Sequence, residues 1–300
     1  MHPQDWLLLV LLSTLWGGSF FFVGVAVREL PPATIVLVRV ALGAAMLLAL
    51  LRLFGSALPK RPADWQAYAI MGLLNNVIPF SLSAAGQMYI TSGMASVLNA
   101  TTPLFTVLVL AGFGDERLIA RRIFGVTIGL IGVIILRQPG AASSDQAIGI
   151  LLCLGAALSY GFSGLWGRRK LTGVAPITSA TAQLVCSSAM MAVIAGVVDR
   201  PWRLLMPGLA TWLSLIGLAA LATALAYIVF FRILTRSGAT NVMLVTLLIP
   251  VTAILLGWLV LGEPLTAWEI LGALVIGSAL LVIDGRIFTW LRRRPAAKET

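Results

Sequence analysis

Two stretches of the chain share one plan: SGMASVLNATTPLFTVLVLAGFGDE, residues Ser92–Glu116, and SGATNVMLVTLLIPVTAILLGWLVLGE, residues Ser237–Glu263. Each opens on Ser-Gly and continues as an apolar run that one proline interrupts, and each closes on Gly-Asp-Glu or Gly-Glu. Thirteen residues separate the proline from the glutamate in both stretches. Each run has about the 20 residues that an α-helix needs to cross a hydrocarbon layer. We therefore expect two related membrane helices, with the rest of the chain arranged around them.

The prolines of these helices, Pro103 and Pro250, predict irregular backbone. A proline inside a helix removes one hydrogen bond and clashes with the carbonyl four residues earlier. Those carbonyls belong to Asn99 and Thr246, so a spare backbone acceptor coincides with a polar side chain in each helix. The pattern predicts either a substrate site or a simple kink.

The composition excludes an ordinary soluble domain. Of the 300 residues, 59% are hydrophobic and 11% are charged, and the mean hydropathy is +0.99, which is typical of a polytopic membrane protein. The net charge of +10 does not indicate nucleic-acid binding, because the basic residues are spread among the loops. The single histidine, His2, and the isolated cysteines Cys153 and Cys186 form no metal-binding pattern. We expect no metal, no cofactor and no catalytic residue.

Apolar runs divided by charged or proline-containing breaks predict an all-α integral membrane protein with ten transmembrane helices. No loop between them is long enough to form a soluble domain. The predicted limits are 6–27, 33–53, 65–88, 92–113, 121–137, 147–167, 176–198, 208–233, 239–261 and 267–287.

An internal repeat divides the ten helices into two halves of five. A shift of 144 residues places Pro32 on Pro176, and a shift of 147 residues places Glu116 on Glu263. Because five is odd, the second half enters the membrane from the opposite side, and inverted repeats of this kind are typical of secondary transporters with a central site. The predicted units are residues 1–140, residues 146–290 and a basic tail, 291–300.

The distribution of lysine and arginine predicts the orientation. If both termini are cytoplasmic, the inner segments hold 16 of the 21 basic residues and the outer segments hold four. This asymmetry follows the positive-inside rule. We therefore predict a multi-pass protein of the bacterial inner membrane with both termini in the cytoplasm, and a tail that contacts anionic lipid.

The order of these features resembles that of the EamA family, a branch of the drug/metabolite transporter superfamily. The features are Trp16-Gly17 in the first helix, an arginine early in the second, and a proline followed by Gly-Glu or its near equivalent in the fourth and ninth. The resemblance extends from Trp16 to about Asp284. It implies export of amino acids or related metabolites through a central cavity lined by helices one to four and six to nine, with helices five and ten peripheral. Asp115-Glu116-Arg117 departs from the usual Gly-Glu, which Gly262-Glu263 keeps.

The acidic residues narrow the choice of cargo. All 11 lie at helix ends, in loops or in the tails, whereas proton-driven pumps and exporters of cations usually hold a carboxylate inside the membrane. We expect the cargo to be an uncharged or zwitterionic metabolite, with an amino acid as the first candidate and the aromatic amino acids included. A nucleotide sugar or another phosphorylated metabolite would need several basic residues in the cavity, and only Arg39 lies within a predicted helix. A membrane enzyme acting on lipid-linked substrates would need catalytic acids, a histidine or a metal cluster, which the predicted helices lack.

Arg39 and the paired asparagines are ambiguous at this stage. Arg39 either has a structural role, facing a partner group or extending outward along its helix, or faces a cavity and attracts the substrate carboxylate near the outer mouth. Asn75 and Asn76 lie near Pro79 and either contact substrate and cavity water or join neighbouring helices.

Aromatic residues supply a second group of candidates. Trp16 and Tyr160 are repeat mates near the middle of their helices, where they either pack or flank the substrate. Trp166 lies nearer the inner boundary and is either part of this wall or an ordinary interfacial residue. The complete candidate set for substrate binding is Trp16, Ser19, Arg39, Asn75, Asn76, Pro79, Phe80, Asn99, Thr102, Pro103, Tyr160, Ser163, Trp166, Thr223, Tyr227, Thr246 and Pro250.

Small residues in helices five and ten predict close helix packing rather than a site. Gly125, Gly129 and Gly132 lie in helix five, and Gly272 and Gly277 in helix ten. Such spacing lets helices approach closely, either within one protomer or across a homodimer. The expected partners of the chain are thus a small-molecule substrate, the lipid bilayer and, in the second case, another copy of itself.

Reporter fusions test the predicted orientation. A reporter fused at Ala142 is expected to be active on the outside of the membrane, and one fused at Arg61 on the inside, because an odd number of crossings separates the two positions. Activity of both reporters on the same side would contradict the inverted repeat.

Overall fold

The structure, a computed structural model, describes residues 3–53, 55, 57–136, 144–237 and 245–284. These residues form helices and no strands. The helices are α1 (Pro3–Ala26), α2 (Pro32–Leu53), α3 (Pro62–Gly72, Leu73–Val77 and Ile78–Gly86), α4 (Ser92–Asn99 and Thr102–Gly112), α5 (Ala120–Leu136), α6 (Ser144–Lys170), α7 (Pro176–Val198), α8 (Leu209–Ala219, Ala220–Leu225 and Ala226–Ser237), α9 (Val245–Leu256 and Gly257–Leu261) and α10 (Ala267–Asp284).

The prediction of an all-helical, multi-pass membrane protein is confirmed, while the exact count of ten crossings stays a prediction. Seven described helices are long and apolar enough to cross a membrane: Gln4–Ala26, Pro32–Leu53, Asp64–Gly86, Ser92–Gly112, Ser144–Lys170, Pro176–Val198 and Leu209–Arg236. Val245–Leu261 and Ala267–Ile283 are shorter apolar helices. The predicted start of helix nine at residue 239 and the basic tail 291–300 lie outside the described residues.

Two π-helical turns interrupt α3 and α8, which the sequence predicts as unbroken helices. They span Leu73–Val77 and Ala220–Leu225, at places that the 147-residue shift superimposes. In α3, Pro79 follows two residues after the turn and cannot donate a hydrogen bond to the carbonyl four residues earlier. In α8, Thr223 Oγ1 donates to the carbonyl of Leu218, five residues earlier, at 2.9 Å. Such turns recur at functional sites, which directs attention to the middle of these two helices.

The stretches quoted at the outset differ in their backbones. Around Pro103, α4 divides into two helices, and Thr102 Oγ1 donates to the Asn99 carbonyl at 2.7 Å. The Asn99 carbonyl, to which Pro103 cannot donate, therefore accepts from a neighbouring hydroxyl. Pro250 instead lies inside a continuous helix. Both stretches end as predicted, since Gly114 and Gly262 take left-handed φ angles of 76° and 68° that favour glycine.

The two halves interleave rather than form separate lobes. The most extensive helix contacts join one half to the other: α1 packs on α8 and α9, while α6 packs on α3 and α4. Likewise α2 packs on α7, and α5 on α10. Each contact therefore has an equivalent in which both helices are replaced by their repeat mates, five helices away in chain order. Since the halves enclose the centre together, a side chain of either half can reach it.

The small residues of α5 and α10 pack within the protomer. A Cβ atom placed on Gly132 would lie 2.7 Å from Ile276 Cγ1 and 3.2 Å from the Gly272 carbonyl oxygen. A Cβ atom placed on Gly272 would lie 2.6 Å from Leu136 Cγ. Gly277, in contrast, faces open space, with no described atom within 4 Å of such a Cβ. The prediction of close packing therefore holds for Gly132 and Gly272 but not for Gly277.

Matched glycine substitutions test this packing. We expect Gly132→Ala to lower the free energy of unfolding by about 1–3 kcal/mol, because the added methyl group meets backbone atoms of α10. Gly277→Ala, on the other side of α10, is expected to be neutral or slightly stabilising. Thermal unfolding of both purified variants in detergent measures the difference. Equal melting temperatures would contradict the close approach of α5 to α10.

Candidate functional site

Arg39 lies at the centre of the bundle and defines the candidate site. Its side chain is only 8% exposed, which makes it the one buried basic residue among the described ones. Arg39 Nε donates a hydrogen bond to Thr223 Oγ1 at 3.1 Å, and the guanidinium carbon lies 3.6 Å from the centroid of the Phe80 ring, a cation–π contact. The side chain thus reaches from α2 to α3 and α8. The alternative that it extends outward to the membrane surface is wrong.

The π-helical turn of α8 positions Thr223 for this contact. The Thr223 hydroxyl donates to the Leu218 carbonyl, which leaves its oxygen lone pairs to accept from Arg39. Thr223 is 2% exposed, so the arrangement is inside the bundle. The Thr223 hydroxyl reaches a carbonyl five residues earlier, whereas hydroxyls in the regular helices, such as Thr181 and Ser188, bond four residues earlier.

Asn75 joins four helices beside the arginine. Its Nδ2 donates to Gln183 Oε1 of α7 at 3.1 Å and, more weakly, to the Tyr227 hydroxyl of α8 at 3.4 Å. Its Oδ1 accepts from Ser163 Oγ of α6 at 3.2 Å. Tyr160 and Tyr227 lie close enough to Arg39 to interact with its charge. Asn75 and both tyrosines are only half-buried, so the network borders accessible space.

Asn76 serves helix joining rather than the centre. It is 0% exposed, and its Nδ2 donates to Ser187 Oγ of α7 at 3.0 Å. Its Oδ1 has no hydrogen-bond partner among the described residues. Both asparagines therefore join neighbouring helices, and Asn75 does so next to Tyr227, while its contact with substrate stays a prediction.

The backbone carbonyl of α3 that accepts a hydrogen bond from another helix is not the one that the sequence indicates. Pro79 predicts a spare acceptor at the Asn75 carbonyl, whereas the structure satisfies the neighbouring Leu74 carbonyl, which accepts from Ser159 Oγ of α6 at 2.7 Å. The π-helical turn causes this shift of one residue, because it displaces the hydrogen-bond ladder of α3.

A row of aromatic rings leads from α1 to the centre. Trp16 lies 5.6 Å from Phe230, Phe230 lies 5.2 Å from Phe231, and Phe231 stacks on Tyr227 at 5.8 Å between ring centroids. These distances are in the range in which aromatic pairs stabilise one another. All four rings are half-buried. They form a continuous apolar wall that ends at the Tyr227 hydroxyl, beside Asn75.

Several predicted site residues make contacts elsewhere. Ser19 Oγ donates to the Trp16 carbonyl of its own helix. Trp166 Nε1 donates to the Ala67 carbonyl near the start of α3, in keeping with the interfacial alternative. Thr102 and Pro103 lie at the break in α4, and Pro79 lies just after the π-helical turn of α3. Thr246 and Pro250 lie within the helix Val245–Leu256 of α9.

The sequence analysis missed Gln183, Ser187 and Ser159, together with Phe230 and Phe231. Gln183 is 4% exposed within an apolar helix, and a buried amide needs partners, so a census of amides inside apolar runs would have found it. The two phenylalanines carry no such signal. Which face of α8 they occupy depends on the π-helical turn.

Carboxylates from one half bind helix N-termini of the other at the end where α2, α4 and α8 begin, which is the outer end in the predicted orientation. Glu29 Oε2 accepts from the Gly208 amide at 2.7 Å and from Thr211 Oγ1 at 2.9 Å, at the start of α8. Asp199 Oδ2 accepts from the Thr34 amide at 2.7 Å and from its hydroxyl at 2.9 Å, at the start of α2. Negative charge is favourable at a helix N-terminus.

Glu263 makes the third of these contacts. Its carboxylate accepts from the Ser92 amide at 3.0 Å and from Ser92 Oγ at 2.7 Å, at the start of α4. Nearby, Glu269 Oε1 accepts from Thr91 Oγ1 at 3.0 Å. A cavity of about 690 Å³ opens at this end and is lined by Arg28, Gln87, Thr91, Ser92, Glu263 and Glu269, among others. None of the residues of the Arg39 centre lines it.

Ion pairs hold the opposite end. Arg169 donates to Asp115, and this hydrogen bond lowers the pKa of the Asp115 carboxyl below its ordinary value of 3.8. Arg168 pairs with Glu116 at 3.1 Å. These pairs are partly exposed, and exposed ion pairs contribute little to stability.

The described residues provide no metal site. They contain no group of three or more His, Cys, Asp or Glu side chains that could hold a metal ion. Cys153 and Cys186 are free thiols.

A multi-pass helical bundle with interleaved halves and a buried polar centre is the architecture of a membrane transport protein. The chain belongs to the EamA-like transporter family, whose sequence profile matches residues 5–138 and 147–283. The resemblance stated from the sequence is thereby confirmed.

Individual relatives agree with this assignment. The "Uncharacterized inner membrane transporter YedA" of Escherichia coli K12 is 30% identical over 287 residues, 93% of this chain and 91% of that protein. A "Probable amino-acid metabolite efflux pump" of Escherichia coli K12 is 27% identical over 293 residues, 94% of this chain and 95% of that protein. A solved crystal structure covers 99% of this chain and 100% of its own, with a TM-score of 0.67 and 17% identity, which shows the fold alone.

Removing the charge of Glu263 tests its contact with α4. We expect Glu263→Gln to lower the free energy of unfolding by about 1–2 kcal/mol, because a neutral amide interacts less strongly with a helix N-terminus. An Ala95→Cys reporter, buried just beyond Ser92, should then react faster with a membrane-impermeant maleimide. Asp64→Asn, at an exposed position of α3, is the matched control and should change neither quantity. Unchanged stability and labelling in Glu263→Gln would contradict a role in closing this end.

Proposed function

We propose that this protein is a secondary transporter that moves amino acids or similar neutral or zwitterionic metabolites out of the cell across the inner membrane. The observation that carries the proposal is the buried Arg39 in the middle of the bundle. A charge inside the hydrocarbon region is costly and marks a substrate or ion pathway. The names of two relatives, each a "Probable amino-acid metabolite efflux pump", support amino acids as the cargo class.

The substrate binds between the two halves in this proposal. Its carboxylate contacts the Arg39 guanidinium, and its side chain lies along the wall that begins at Trp16. Tyr160 and Tyr227 border the same space on α6 and α8. Planar bidentate binding of a carboxylate is the particular strength of arginine. The other candidates, among them Ser19, Asn76, Asn99, Thr102, Ser163, Trp166 and Thr246, shape or support the passage.

In this proposal the outer and inner ends of the bundle open in turn, which is alternating access. The contacts that link the two halves at each end support it. Carboxylates that cross between the halves close the outer end, and ion pairs link the halves at the inner end. Opening one end requires breaking only the contacts at that end. The π-helical turns of α3 and α8 and the break in α4 supply places where helices bend without losing further hydrogen bonds. The proposed orientation has both termini in the cytoplasm.

A phosphorylated cargo is the weaker candidate on the same fold. A nucleotide sugar carries at least two negative charges near one another, and binding them calls for several cations. Among the described residues only Arg39 is both basic and buried. The membrane-enzyme alternative has no support from the family or from its relatives, which are transporters.

Transport by variants of the aromatic wall tests the proposal. We expect Trp16→Ala and Tyr160→Ala to reduce the uptake of radiolabelled aromatic amino acids into proteoliposomes at least tenfold, because both changes remove wall contacts of the substrate. The yield of folded protein should stay within about twofold of the parent, since neither ring is fully buried. Trp202→Ala, whose ring is 73% exposed, is the matched control. Parallel loss of uptake and folded protein would favour simple packing, and absence of uptake by the parent would contradict the function.

A further inference from the structure

We infer that the preferred cargo of the Arg39 centre is a monocarboxylate anion with an apolar or aromatic body and no ammonium group. The inference rests on the proposed transport function and departs from its first-named cargo, because it keeps the carboxylate of an amino acid and excludes the ammonium group. It depends on the charge and the hydrogen-bonding capacity of the side chains that meet at the centre.

The centre carries one positive charge without a protein counter-ion. Arginine stays protonated in proteins. The ion pairs that the structure describes involve Arg122, Arg168, Arg169 and Arg236, and all of them lie at helix ends. Arg39 instead contacts a hydroxyl and an aromatic ring, which are both neutral. A ligand that brings one negative charge therefore neutralises the centre.

The guanidinium also has unused donors. A guanidinium has five N–H groups, and the described hydrogen bond of Arg39 uses the one on Nε. The terminal nitrogens are not among the buried atoms that lack a partner, so they border accessible space. Their paired N–H groups match the two oxygens of a carboxylate.

Among the described residues, the centre offers no carboxylate for an ammonium group. Asn75 Oδ1 accepts from Ser163 and Gln183 Oε1 accepts from Asn75, which leaves each amide oxygen a second lone pair but no negative charge. Asn76 Oδ1 is unpartnered, but its residue is 0% exposed and lies on the α7 side. All 11 acidic residues of the chain lie outside the middle of the helices. Tyrosine and serine hydroxyls can accept a hydrogen bond, yet they cannot offset a second positive charge beside Arg39.

The net charge of Arg39 together with its ligand then ranks the possible ligands by how favourable their binding is. A zwitterionic amino acid leaves the buried centre at +1, whereas a monocarboxylate brings it to zero and a dicarboxylate to −1. Buried charge without a partner is strongly unfavourable. The aromatic row from Trp16 to Tyr227 supplies an apolar surface for the rest of the molecule. Carboxylates of the size of an aromatic amino acid that lack its amino group fit both requirements.

Three probes with the same phenylethyl body test the inference: 3-phenylpropanoate, phenylalanine and 2-phenylethylamine. They differ only in bearing a carboxylate, both charged groups, or an ammonium group. We expect purified protein at pH 7.5 to bind 3-phenylpropanoate at least tenfold more tightly than phenylalanine, and not to bind the amine. Arg39→Gln should abolish the preference and Arg39→Lys should retain part of it. Arg52→Gln, an exposed arginine at the far end of the same helix, is the matched control.

A transport measurement on the parent protein keeps the inference testable if the Arg39 variants do not fold. In proteoliposomes, an inside-positive potential should accelerate entry of 3-phenylpropanoate, which moves as an anion, and leave entry of phenylalanine unchanged. Protein-free liposomes correct for passage of the uncharged acid through lipid. Phenylalanine binding as tight as that of 3-phenylpropanoate, or tighter, would overturn the inference and leave amino-acid transport standing. If neither carboxylate binds or moves, the proposed function itself fails.

Discussion

The constraint on which this structure depends is the presence of one guanidinium group in the middle of an apolar helical bundle. A charge at that position is tolerated only when polar groups or a ligand surround it. Three helices meet this need: α2 supplies Arg39, α3 places the Phe80 ring under its charge, and the π-helical turn of α8 presents the Thr223 hydroxyl. The irregular backbone of α8 is thus part of the surroundings of Arg39, because Thr223 lies within the π-helical turn.

The interleaving of the halves follows from the same need. If each half formed its own lobe, Arg39 of the first half could not reach Thr223 of the second, and Asn75 could not bind Gln183 and Tyr227. Contacts between α1 and α9, and between α6 and α4, repeat one arrangement with the halves exchanged. The Arg39 centre therefore lies between two equivalent sets of helix contacts. Each half of the chain contributes different side chains to it.

The sequence predicts the all-helical membrane architecture of this protein, because apolar runs of about twenty residues act locally. It also predicts Arg39, Asn75 and Tyr227 as candidates, since polar groups in apolar helices need partners. It does not predict which groups meet. The π-helical turns at Leu73–Val77 and Ala220–Leu225 rotate the following helix, so the position of Phe230 relative to Trp16 depends on tertiary contacts. The carbonyl of Leu74, rather than that of Asn75, becomes the shared acceptor for the same reason.

The two ends of the bundle differ in physical character although the sequence plan repeats. At the outer end, Glu29, Asp199 and Glu263 each accept backbone amides of the opposite half, and such bonds have fixed geometry because the donors belong to helix ends. At the other end, Asp115 and Glu116 pair with arginine side chains, which are long and flexible and can exchange partners as the halves move. Glu116 and Glu263 thus occupy matching sequence positions but different chemical environments.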